Sequence, residues 1–144
     1  MIELQNHIIQ FGQSFVLNEK DIIAKLSSEK NWESRYRQIM LLGKNVPAFS
    51  EQLKVDSALV QGCESKVWLH YLWRENKLLL AASSDAKIVK GLITIVLAGF
   101  NQKEKSEIHC FDVVAYFEKL NLTNHLSPSR TNGLFAIVTQ IKSL

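Results

Sequence analysis

The chain has 144 residues, 47% of them hydrophobic, enough for one domain to bury a core without metal or disulfide staples. Its formal net charge of +3, from 17 Lys and Arg against 14 Asp and Glu, comes without a concentrated basic face, so nucleic acid is not an expected partner. Two cysteines in dissimilar settings, with no C-x-x-C, exclude a disulfide scaffold and a zinc ribbon and favour a reducing compartment.

The first residues, MIELQNHIIQFGQ, carry Glu3 where an export signal needs a positive region and then an unbroken apolar one, so a cytoplasmic protein is expected. Leu4, Ile8, Phe11 and Phe15 stripe one face of a first helix. A short second helix is expected over Asp21 to Leu26. A third runs from Trp32 to Leu42, capped by Asn31, with Gly43 expected as the left-handed residue after its end and Pro47 beyond.

From Ala58 the period changes. A short strand is expected near Ala58 to Val60, and Lys66–Trp73 and Leu78–Ala82 form a β-hairpin around the polar break Arg74-Glu75-Asn76-Lys77. Ser83-Ser84-Asp85 offers caps for a core helix whose Ile88, Leu92, Ile95 and Gly99 share a face; Gly91 inside it marks a close approach by a neighbour. That apolar run, Gly91 to Phe100, is about half of the roughly 20 residues a bilayer requires, so no membrane is expected. Asp112 caps a shorter helix, and Ser127-Pro128 opens the last one, striped by Leu134, Ile137, Val138 and Ile141. Helices, three antiparallel strands and more helices make an α+β fold, a small sheet covered by helices, in one domain over 1–144.

Chemistry has few places to sit. There is no phosphate-cradling glycine motif, and His7, His70, His109 and His125 show no metal-ligand spacing. In VQGCESKVW, Cys63 follows Gly62 in what reads as a surface turn, where exposure, Lys66 and backbone N–H groups would favour the thiolate; the plainer reading is an incidental surface cysteine. Lys66 itself reads as a solvated strand residue and Trp68 as core or sheet face. Cys110 reads as buried filler. His125 would serve as a general base for a thiol enzyme if the fold brought it to Cys63. Arg130, in the first turn of the last helix, sits where the helix dipole disfavours a cation, which suggests a role toward an anion or a partner.

Several stretches resemble the SufE/CsdE family of sulfur acceptor proteins: GCESKVWL around Cys63, SDAKIVKGLI from Ser84, and FDV followed by YFEKLNLTNHLSPSRTNGL up to Leu134. WESRYRQIMLLGKNVPAF, Trp32 to Phe49, looks more like the CsdE branch, whereas the FDV to SPSR region looks more like SufE. The resemblance implies an IscU-like fold and a pyridoxal-phosphate cysteine desulfurase, SufS-like or CsdA-like, as partner. In it, Cys63 corresponds to the cysteine that accepts persulfide sulfur, stimulates the desulfurase and relays sulfur to a downstream acceptor or scaffold, typically toward iron–sulfur cluster assembly. Arg130 falls on the family's SR pair after the HLSP loop. Gly62 is the expected hinge, no cofactor or metal of the chain's own is implied, and neither Cys110 nor the first 17 or so residues acquire a role. Because a persulfide is open to reduction and oxidation, Cys63 is expected to be partly sheltered in the free protein by Leu59, Val60 or Val67 and to swing out on docking. The competing expectation is a small hydrolase or peroxidase using Cys63 with His125.

Overall fold

The computed structural model describes residues 2–144. Three helices come first: α1 (Ile2–Ser14), α2 (Glu19–Ser27) and α3 (Trp32–Lys44). Asn18 closes a capping box on α2 with Asp21, and the Asn31 side chain accepts from Ser34 N at the start of α3. Two 3₁₀ turns, Glu51–Leu53 and Asp56–Ala58, lead into a hairpin of β1 (Val67–Arg74) and β2 (Lys77–Ser84). Its two-residue connection, Glu75-Asn76, has φ of 52° and 68°, the signature of a primed turn that matches strand twist. Then follow α4 (Lys87–Phe100), β3 (Lys103–Glu104), α5 (Lys105–Cys110), α6 (Val113–Lys119) and α7 (Pro128–Lys142).

The sheet is three-stranded and antiparallel in the order β1-β2-β3, so the α+β expectation holds, but its third strand is a different one. Ala58 to Val60 supplies only an isolated bridge, Leu59 to Trp68, because Asp56–Ala58 winds into a 3₁₀ turn immediately before it. The third strand is Lys103–Glu104, paired with Leu78 and Lys77, a two-residue element too short to leave a periodicity.

Every residue of β2 from Leu78 to Ser84 is buried, because helices cover both of its faces. Gly12 of α1 lies over Leu79, where an added Cβ would come within 2.9 Å of the Leu79 Cβ. The other main cover is α4, buried at every position from Gly91 to Phe100. A helix apolar all round sits in the middle of a core, not on its rim.

Two glycines explain how α4 gets there. A Cβ at Gly91 would collide with the Ile39 carbonyl oxygen, and one at Gly43 would stand 2.8 Å from the Gly91 nitrogen, so α3 and α4 cross backbone to backbone. Gly43 is therefore not the left-handed terminator expected from sequence; it lies inside α3, which ends at Lys44 with Asn45 as its cap. Likewise Ser83 and Ser84 belong to β2, and α4 starts after Ala86 without a side-chain cap. No helix among the described residues is long and apolar enough to cross a membrane.

Candidate functional site

Cys63 sits in a short loop whose base is fastened to the sheet. Val60 N donates to Val67 O at 2.9 Å, and the Leu59–Trp68 bridge closes the ladder, so the intervening residues must reverse direction in a few steps. Gly62 makes that possible with a φ of +92°, a conformation that side chains with a Cβ adopt at a cost. A Cβ there would also approach the Ala136 Cβ to 3.3 Å.

The loop is folded down on α7. Ser127 caps this helix by accepting from Arg130 N at 3.3 Å, and Pro128 occupies the first turn, as the sequence predicts. The helix start is thus fixed, and with it a face carrying Ser129, Arg130, Gly133, Leu134 and Ile137. Those residues join Val67 of β1 and Val89 and Leu92 of α4 to enclose a small cavity of about 60 Å³ beside Cys63. The Cys63 thiol donates to the Gly133 carbonyl, Sγ to O 3.6 Å. A Cβ on Gly133 would lie 3.6 Å from Sγ and 3.7 Å from the Cys63 Cα, ordinary contact distances, so the loop rests against the helix with room for one methyl group and no more.

Burial pushes the Cys63 thiol above its ordinary pKa. This reverses the activated thiolate expected from sequence. The sulfur is half-buried among apolar side chains with a carbonyl oxygen as its polar neighbour, while Lys66 is exposed. Shelter itself is present, but it comes mainly from α7; of the three residues expected to supply it, Val67 lines the cavity. The Arg130 guanidinium, at the same cavity, has no ion-pair partner among the described residues.

The structure brings Cys63, Gly62 and Arg130 into one neighbourhood and leaves His125 out of it. The His125 ring stacks on Trp32, centroids 4.6 Å apart and planes within 8°, and its Nε2 accepts from the Asn121 amide at 3.2 Å. It is not among the residues around the Cys63 cavity. Cys110 is exposed at the end of α5, not buried filler: that short helix, absent from the sequence reading, turns the residue outward while Ile108 faces the core. Val89, Ser129 and Gly133 line the site without being singled out from sequence, and Leu92, Leu134 and Ile137 read from sequence only as core. Gly133 carried a signal, an isolated glycine within an apolar helical stripe, the same cue that marked Gly91.

A family model described as SufE, an Fe–S metabolism associated domain, matches residues 20–144. The chain belongs to the SufE family. It is 39% identical over 123 residues to a protein named cysteine desulfuration protein SufE from Wigglesworthia glossinidia brevipalpis, covering 85% of each chain. It is also 45% identical over 116 residues to an uncharacterised SufE-like protein of Rhizobium meliloti, covering 78% of this chain and 83% of that one. The solution structure of a hypothetical protein from Thermus thermophilus shares the fold, with a TM-score of 0.69 at 16% identity over 87% of this chain and 90% of that one. Membership ties this SufE-family chain to sulfur chemistry in iron–sulfur metabolism, and the match begins only after α1.

Proposed function

We propose that the protein is a single-domain cytoplasmic sulfur acceptor in which Cys63 takes persulfide sulfur from a pyridoxal-phosphate cysteine desulfurase, stimulates that enzyme and passes the sulfur on toward iron–sulfur cluster assembly. The observation that carries this reading is a half-buried thiol on a glycine-hinged loop, lodged against a helix through one weak hydrogen bond. A stand-alone thiol enzyme needs a permanent base beside its nucleophile. A carrier needs a nucleophile that travels.

The resting thiol is protonated and a poor nucleophile, which protects it from oxidation. Docking on a desulfurase would exchange the Gly133 contact for contacts in the donor site, and the exposed sulfur would then ionise toward its ordinary value. The Cys63 thiolate attacks the outer sulfur of the donor persulfide; that sulfur's bond to the donor cysteine breaks as its bond to Cys63 forms, and the donor thiolate leaves. Arg130, with no ion-pair partner among the described residues, is suited to meet an anionic group of the partner.

The test is transfer of label from radiolabelled cysteine through a desulfurase. Cys63→Ser is expected to abolish labelling, whereas Cys110→Ser and His125→Ala retain it. Labelling that survives in Cys63→Ser and disappears in Cys110→Ser would overturn the assignment.

A further inference from the structure

The contact between Cys63 and α7 has a chemical polarity. Gly133 offers the sulfur a carbonyl oxygen, which only accepts, and a side with no Cβ, where an added one would lie in ordinary van der Waals contact with the Cys63 backbone and sulfur. Such a seat suits a neutral S–H, which donates to the carbonyl and needs little solvation. Conversion of the thiol to a persulfide changes both terms. The sulfur attached to the Cys63 Cβ loses its hydrogen, and the terminal S–H of a persulfide is a stronger acid than a thiol, so the loaded side chain carries negative charge. An anion against a carbonyl oxygen and the side chains of Val67, Val89, Leu92, Leu134 and Ile137 is both repelled and desolvated. The charged groups at the cavity are Glu64 of the loop and Arg130 of α7, and the cation lies at residue 130, one helical turn before Gly133.

We propose that Gly133 is a positioning residue that reads the loading state of the carrier: its carbonyl holds the Cys63 loop when the thiol is empty, and the seat releases the loop once the sulfur has become a persulfide anion. This rests on the sulfur-acceptor reading and deepens it. The empty carrier is closed and inert; the loaded carrier presents its sulfur to the next acceptor and closes again after giving it up. Direction in the relay then comes from the chemistry of the sulfur itself.

Loading without a desulfurase separates this proposal from the acceptor reading. Inorganic polysulfide donates one sulfane sulfur to Cys63; the S–S bond in the polysulfide breaks, a new one forms on Cys63, and the thiol proton leaves with the shortened polysulfide. Intact mass confirms one added sulfur, with Cys110→Ser as the background to confine it to Cys63. The readout is ¹⁵N relaxation of Gln61–Ser65. In the thiol form the order parameters are expected in the rigid range of about 0.85, and in the persulfide form below about 0.6, with α4 unchanged in both. Gly133→Ala, whose Cβ falls at contact distance from Sγ, should keep the loop rigid in the thiol form. Gly133→Val should leave it mobile before and after loading. A loop equally rigid in the thiol and persulfide forms of the wild-type sequence overturns the proposal, as does a loop already mobile with the thiol empty. Failure of label transfer from a desulfurase, with the loading-dependent mobility intact, would instead sink the acceptor reading alone.

Discussion

Cys63 is held where S–H is favoured over S⁻, and this has a measurable sign. Its pKa is raised by burial in the folded protein, so between the free-thiol value near 8.5 and the raised seated value the unfolded or unseated form binds fewer protons than the seated one. The stability of the seat is therefore fully present below about pH 8.5 and falls as pH climbs through the seated pKa. Alkylation of Cys63 by iodoacetamide is expected to be slower than that of exposed Cys110 at neutral pH, with a pH midpoint displaced above that of a small free thiol. Mass-resolved alkylation rates across pH check it; a Cys63 midpoint at or below the free-thiol value would contradict the seated geometry. Sequence revealed the hinge, because Gly62 before a polar triplet is a local signal. It did not reveal the protonation state, because the desolvating wall is built by Gly133, Leu134 and Ile137, some seventy residues further along the chain.

At the scale of elements, the legible parts were those with local causes. Asn31, Asp112 and Ser127 each accept from the backbone three residues on, and the hairpin around Glu75-Asn76 follows from its flanking apolar runs. The elements that escaped, β3 and α5, have two and six residues, and they exist because Gln102, at φ 62°, turns the chain back onto Leu78 through a 2.7 Å hydrogen bond. The misplaced end of α3 teaches the same lesson: Gly43 looked like a terminator, and only the partner helix shows that its use is close approach. That crossing makes a sharp prediction. Gly91→Ala drives a Cβ into the Ile39 carbonyl, backbone against backbone, where no rotamer change relieves it, so it should cost about 1–3 kcal/mol or more in urea denaturation. Gly133→Ala, whose Cβ meets nothing closer than 3.6 Å, should cost less. Equal losses for the two would mean that helix crossing is not what Gly91 serves.

Across the whole molecule, the covering of the sheet depends on a polar clamp buried in an apolar setting. The Asn101 side chain accepts from Leu80 N at 2.9 Å and donates to the carbonyls of Gly12 at 2.9 Å and Phe15 at 3.2 Å. One amide thus joins β2, the end of α4 and the end of α1, the helix that lies before the family match. Gln102 donates to the same two carbonyls, at 2.8 and 3.2 Å, but it is exposed. The two side chains look redundant and are not. Without Gln102 the carbonyls of Gly12 and Phe15 keep Asn101 as a donor; without Asn101 they keep Gln102, but the buried Leu80 N–H is left with nothing. An orphaned buried donor costs about 1–3 kcal/mol, whereas a lost bond whose acceptor stays satisfied costs about 1 kcal/mol or less. Asn101→Ala should therefore lower the urea midpoint clearly more than Gln102→Ala, with the Leu80 amide losing hydrogen-exchange protection in the first variant and keeping it in the second. Neither residue lines the Cys63 cavity, so native-state alkylation of Cys63 should stay at the wild-type rate in both. If Gln102→Ala proved the more damaging, α1 would be held by its carbonyl caps and not by the strand it shares with Asn101.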